Sequence, residues 1–304
     1  MQASPRLSII IPSYDRPQLL TRAVQSALSQ TIDDIEVVVV DDGSPDPVVL
    51  APHPRLKVVR LSENRGTAAA RNAGAKAAQG RWMSYLDDDD QLLPDMARLS
   101  LEALERSTLP PPVAVLSGLE VVSPAGQVIE TRIPPTLLRG SHFFLEEIEP
   151  GKSFISKQTL VVERSLFLKI GGYDEAFQSR VHTELFLRLN PVCSILGIPN
   201  TTYRLMAHDG PRISRNPALR QVSFNQLVQK HRQIFLEHPK MFSDFVYKHA
   251  QTSHHLGQTR PAIKSLAWAF VLHPSHTSMK LGRDFLGRLG GAFRSMFSNP
   301  IGSH

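Results

Sequence analysis

Tyr85-Leu86-Asp87-Asp88-Asp89-Asp90 closes an apolar run and decides how the rest of the chain is read. Four adjacent carboxylates repel one another, so a folded domain keeps them only where water solvates them or a cation neutralises them. Hard divalent cations such as Mg²⁺ take oxygen ligands and bridge to phosphate oxygens. An isolated acidic run is most simply a solvated turn. The pattern upstream argues for more than that.

Working outward, Leu7-Ser8-Ile9-Ile10-Ile11 is continuous and β-branched, as a strand buried on both faces should be. Pro12 is expected to stop it, and Asp15 to cap a helix with Pro17 in its first turn. Leu19, Leu20, Ala23, Val24, Ala27 and Leu28 then recur at helical spacing through Gln30. Glu36 to Val40 reads as a second buried strand ending in Asp41-Asp42-Gly43-Ser44, and Lys57 to Leu61 as a third. Thr67 is expected to cap a small-residue helix closed by Gly80, and Arg81 to Leu86 to form the strand that delivers the acidic run. This alternation predicts an α/β fold, Rossmann-like, with a mainly parallel central sheet.

In open α/β sheets ligands sit beyond the carboxyl ends of the strands. Pro12-Ser13-Tyr14-Asp15, Asp41-Asp42-Gly43-Ser44 and Asp87 to Asp90 should therefore meet on one edge. A crevice with carboxylates on several lips suits a nucleoside with a metal-bound diphosphate. The Gly-x-Gly-x-x-Gly expected of a dinucleotide oxidoreductase does not follow the first strand.

Residues 6 to about 214, about two-thirds of the chain, resemble the family 2 glycosyltransferases of the GT-A fold. The resemblance is carried by Ser8 to Arg16, Val40-Asp41-Asp42-Gly43-Ser44, Asn64-Arg65-Gly66 with Ala70-Arg71-Asn72 and Gly74, and Leu86 to Asp90 with Pro94. It implies transfer of a sugar from a nucleotide-diphosphate donor, a UDP-sugar first among them, to a hydroxyl of a glycan or lipid-linked acceptor, with Mg²⁺ or Mn²⁺. It puts Pro12, Tyr14 and Asp15 in the nucleotide loop and gives Asp42 the base. Arg71 is left either on the diphosphate, on the acidic loop or in a structural salt bridge. Asp87 and Asp88 face the nucleotide sugar, and Asp89 ligates the metal. Tyr203-Arg204 with His208 resembles a further family segment, which makes His208 a second candidate for the metal or the donor phosphates.

Gly171-Gly172-Tyr173-Asp174-Glu175 resembles another family element. Matching on Glu184-Leu185-Phe186-Leu187-Arg188-Leu189, the Glu-Asp pair that should supply the general base falls on Val181-His182. Three accounts follow. His182 is the base, as a neutral imidazole can be; Glu184 orients or replaces it; or the domain binds donor without turnover.

Residues 216–304 form a separate expectation, a basic α-helical C-terminal region beside a 1–215 transferase domain. They hold 11 Lys/Arg against 3 Asp/Glu, while the first 215 residues hold 23 against 25. Basic motifs interleaved with aromatics are missing, so an anionic membrane surface is a better partner than nucleic acid. In a predicted helix over Met279 to Phe297, Leu281, Phe285, Leu286, Leu289, Phe293 and Phe297 make one stripe flanked by Lys280, Arg283, Arg288 and Arg294. It fits either a core or a membrane interface. The single cysteine, Cys193, excludes an internal disulfide and fits a reducing cytoplasm. No apolar run reaches transmembrane length, so any membrane role is expected to be peripheral.

Overall fold

The structure is a computed structural model that describes residues 4–207 and 216–284. His208 and the stripe beyond residue 284 lie outside the described residues. The chain divides into two compact units, 1–227 and 228–304.

The first unit is built on a sheet whose leading half is parallel. β1 (Leu7–Ser13) lies between β2 (Ile35–Asp41) and β4 (Trp82–Tyr85), and β3 (Leu56–Arg60) pairs with β2. β8 (Val161–Glu163) runs antiparallel to β4 and continues the sheet to β6 (Val113–Val122) and β9 (Ser194–Met206), which pair in parallel. Short β5 (Gln91–Leu92) closes that edge against β9, and β7 (Val128–Arg132) makes a hairpin with β6.

Alternation along β1 and β2 explains the two-layer cover. Ile10, Val38 and Val40 face a cluster that includes Ala68, Ala70 and Ala75 of α2 (Thr67–Ala77). Ile9, Ile11, Val37 and Val39 face the opposite cluster, with Leu20, Ala23 and Val24 of α1 (Pro17–Leu28) and Met96, Ala97 and Leu101 of α3 (Met96–Arg106). Each large aliphatic buried this way contributes about 1.5–3 kcal/mol. The small residues of α2 set its distance from the sheet: a Cβ on Gly74 would stand 2.3 Å from Ile10 Cγ2.

Several local expectations are corrected. Pro12 does not end β1, which runs to Ser13. Ile10 O accepts from Leu86 N on the β4 side. Pro12, two residues on, faces that same side just past the end of β4, so its missing N–H breaks no ladder bond. Asp15 does not cap α1. It takes φ 53° and donates its amide to Ser44 Oγ, and the helix starts after Arg16. Thr67 is the first helical residue of α2 rather than its cap, and the helix ends at Ala77, before Gly80. β9 runs unbroken through its register shifts opposite Ser117 and Gly118.

Beyond β8, α4 (Arg164–Lys169) and α5 (Val181–Leu189) complete the cover of the first unit. α6 (Pro217–Lys230) crosses the division between the units. The second unit holds α7 (Arg232–Glu237), then α8 (Pro239–His255) and α9 (Thr259–Leu272), which pack as a helical hairpin around Gly257. Residues 274–284 are helical again. Asp244 accepts from His276 Nε2 at 2.5 Å and Lys280 Nζ at 2.6 Å, which ties that stretch to α8. No helix among the described residues is long and apolar enough to cross a membrane.

Candidate active site

Because β1, β2 and β4 are parallel neighbours, their carboxyl ends share one edge, and hydrogen bonds lock the three loops there together. Asp42 N donates to Ser13 O at 2.9 Å, Asp15 N to Ser44 Oγ at 3.0 Å, and Ser13 Oγ to Asp88 Oδ2 at 2.8 Å. Tyr14 stays exposed at the rim.

Asp41 and Asp42 divide their work. Asp41 accepts from the amides of Ser44 and Val48 and from Arg60 at 2.8 Å. Burial alone would raise its pKa, but those bonds and the Arg60 charge outweigh burial and hold it below the usual carboxylate range. It is a turn residue. Asp42 receives Arg65 N at 2.9 Å and Gly66 N at 2.8 Å, the amides that open α2, while burial pushes its pKa up. Gly43 makes this crossing of loops feasible. It sits at φ +72°, and a Cβ there would lie 2.3 Å from Glu63 C.

The acidic run is sorted by side. Asp87, Asp89 and Asp90 each present a carboxylate oxygen within 4.8 Å of the others. Three hard oxygen donors at that spacing fit Mg²⁺ or Mn²⁺, whose ligands stand about 2.0–2.2 Å from the ion. Asp90 also accepts from Tyr203 Oη at 2.8 Å and Met206 N at 2.9 Å. Burial, then the charges of Asp87 and Asp89, raises its pKa well above the usual value, the electrostatic mark of a cluster short of positive charge. Asp88 turns the other way. It is buried, bonded to Ser13 and paired with Arg16 Nη1 at 3.3 Å, and burial pushes its pKa up to about 6. The expectation that Asp88 faces the nucleotide sugar is therefore corrected: it fastens the acidic loop to the first loop.

Arg71 on α2 is buried, with Nη2 2.5 Å from Asp87 Oδ1 and its guanidinium 5.4 Å from the centroid of Tyr173. Tyr173 Oη lies 3.0 Å from His182 Nδ1. His182, at the start of α5, keeps a partly exposed edge. Its dense surroundings, then the charges of Arg71 and Lys157, push its pKa well below the ordinary histidine value. Glu184 is corrected. Its side chain is fully buried, and both oxygens are held by Arg188, at 2.7 and 2.5 Å. Arg188 also donates to the carbonyls of Ile170 and Gly172 at 2.5 and 2.7 Å. Glu184 thus closes the turn before Tyr173 and neither orients nor replaces His182; the group on the imidazole is Tyr173.

A family model described as glycosyl transferase family 2 matches residues 8–118. Residues 8–118 are a segment of that family. The succinoglycan biosynthesis protein ExoO of Rhizobium meliloti is 39% identical over 127 residues, which is 40% of this chain and 36% of that protein. An uncharacterized glycosyltransferase of Haemophilus influenzae is 30% identical over 185 residues, 60% of this chain and 61% of its own length. The chain thus spans less than two-thirds of these relatives. A crystal structure of S. aureus TarS 1-349 in complex with UDP-GlcNAc has a TM-score of 0.61 at 17% identity, over 90% of this chain and 82% of that one. That likeness shows the fold, a GT-A-like α/β sheet with C-terminal helices.

The family match contains Asp42, Arg71 and the whole acidic run and stops short of His182. Sequence reasoning missed Arg16, which also reaches Asp89 at 3.3 Å, and Tyr203, which binds Asp90 from β9 across the sheet. Arg16 could have been found from its place in the first loop. Tyr203 had only its place in the Tyr-Arg segment to recommend it.

Proposed function

We propose that this chain transfers a glycosyl group from a nucleoside diphosphate sugar to an acceptor hydroxyl, with inversion at the anomeric carbon. The observation that carries the reading is the shared edge where Asp42 and the cluster of Asp87, Asp89 and Asp90 stand on neighbouring loops. Asp42 and the exposed Tyr14 ring would address the nucleoside, with Pro12 and Asp15 shaping their loop. Asp87, Asp89 and Asp90 would hold the divalent cation, with His208 as a further donor. When bound, the cation supplies Lewis-acid stabilisation of charge on the diphosphate.

The chain's own residues supply the rest. His182, neutral across physiological pH, takes the acceptor O–H proton on Nε2, since Nδ1 faces Tyr173. The oxygen attacks the anomeric carbon from the face opposite the nucleotide. The carbon–oxygen bond to the β-phosphate breaks, and its electron pair leaves with the nucleoside diphosphate. Arg71 fixes Asp87 and adds positive charge beside the cluster. A UDP-sugar donor is favoured by the fold shared with a protein crystallised with UDP-GlcNAc. A glycan or lipid-linked acceptor in polysaccharide synthesis is favoured by the ExoO relative. The setting we favour is peripheral, at an anionic membrane face inside the cell.

A second reading is a donor-binding protein without turnover, favoured by Val181-His182 standing where the resemblance expects Glu-Asp. One experiment separates the two: a nucleotide-sugar panel with Mn²⁺ and candidate acceptors, scored for both donor binding and nucleotide release. Binding with release supports transfer. Binding without release under every acceptor supports the second reading, and no binding at all sinks both.

A further inference from the structure

Helix α9 is apolar on more than the side it buries. Ala262, Ser265 and Ala269 pack inward, while Ile263, Ala267 and Val271, four residues apart, line the opposite face. Ile263 is 63% exposed and Val271 80%. An α-helix brings Arg260 and Lys264 onto that same face, and both are exposed. No acidic residue occurs between Asp244 and Asp284, and those two carboxylates are already engaged, Asp244 by His276 and Lys280, Asp284 by Tyr247 and Gln251. The next helical stretch, 274–284, adds exposed Met279, Leu281 and Arg283.

We infer that this face of α9 is a docking surface for an anionic lipid bilayer, with Ile263, Ala267 and Val271 entering the acyl boundary and Arg260 and Lys264 on the headgroups. Exposed aliphatics flanked on the same helix face by Arg260 and Lys264 match an interface helix. Pairing with a second copy through the same face would bring four cations, Arg260 and Lys264 from each copy, into one interface, which like-charge repulsion opposes. A nucleic acid offers phosphates but no partner for the aliphatic side chains. The inference stands apart from the transfer chemistry and would bring the domain to a lipid-linked acceptor.

The test is flotation of the intact chain with vesicles of phosphatidylcholine alone or of phosphatidylcholine with phosphatidylglycerol. Binding is expected only to the anionic vesicles and should weaken with salt. Lys264→Glu should lower the partition about 30-fold, since each cation near the surface is worth about fivefold. Ile263→Ser with Val271→Ser should lower it at least tenfold at an unchanged melting temperature, because both side chains are exposed. Nucleotide release with a water-soluble acceptor should be the same in all variants, so a failed transferase reading and a failed membrane reading give different results. Equal flotation of the variants and the parent, or no flotation of the parent, overturns the assignment. So does concentration-dependent dimerisation that only the Ile263/Val271 variant loses.

Discussion

Glu184 offers the sharpest test of how the acceptor side is built. Its carboxylate is fully buried and held by both Nε and Nη2 of Arg188, which also caps the carbonyls of Ile170 and Gly172. Removing one partner of a buried pair costs about 3–5 kcal/mol. Arg188 is 22% exposed, so water recovers part of that and the lower end applies to Glu184→Ala. Glu184→Gln keeps the shape and one acceptor oxygen, and about 2 kcal/mol is expected. At a urea slope of about 2–3 kcal/mol/M the unfolding midpoint of the first unit should fall by about 0.7–1 M. Replacing both partners, Glu184→Leu with Arg188→Met, should recover only part of the loss, because two carbonyls lose their donor as well. Circular dichroism against urea reads the stability, and donor turnover is measured on the same samples. A Glu184→Gln protein with an unmoved midpoint and abolished nucleotide release would refute the structural role and return Glu184 to the chemistry.

The other expectations concern the site itself. His182→Gln should lower kcat by about 10²–10⁴ with donor affinity unchanged, as loss of a general base does; pre-steady-state nucleotide release and donor titration separate the two. The pH dependence has a definite sign. The folded imidazole holds its proton less tightly than the unfolded one, whose pKa is about 6.5. Stability is therefore full above about pH 6.5 and declines as pH falls toward the folded value, and His182→Gln should flatten that slope in melts across pH 5–7. Asp89→Asn and Asp90→Asn should each weaken Mn²⁺-dependent donor binding by at least tenfold in calorimetry, while Asp88→Asn should spare it; equal losses in all three would erase the division of the acidic run. Gly43→Ala should cost about 2–4 kcal/mol, because the added Cβ meets backbone and φ is positive, and a melting temperature within one degree of the parent would contradict that.

Much of the first unit was legible because its signals are local. The β-branched runs of β1 and β2, the small residues of α2 and the acidic run at the end of β4 each follow from their own side chains. What the sequence hid depends on direction and distance. Which of four adjacent aspartates faces the cluster is set by the turn after Tyr85 and by partners 72 to 116 residues away, Arg16, Tyr203 and Met206 among them. Asp15 looked like a helix cap because aspartate usually is one before an apolar period, yet the Ser44 hydroxyl took its amide and left it in a left-handed turn. Glu184 stood two residues from the candidate base in sequence, but on a helix that offset points it away from His182 and toward Arg188, one turn on.

Arg71 joins the two halves of the site. A guanidinium buried this deeply loses hydration worth several kcal/mol. The Asp87 charge at 2.5 Å and the faces of Tyr85 and Tyr173 offset that loss, although Nε is left without an acceptor. The same charge acts in two directions. Toward the sheet edge it holds Asp87 in place beside Asp89 and Asp90, where three carboxylates would otherwise drive one another apart. Toward α5 it lowers the proton affinity of His182, with Tyr173 packed between them. An aspartate base in that position would be drawn to Arg71 as a salt-bridge partner, whereas a neutral imidazole is repelled only once it is protonated. A histidine is compatible with the Arg71–Asp87 pair nearby, and its weak basicity follows first from its burial and then from the Arg71 charge that organises the acidic loop.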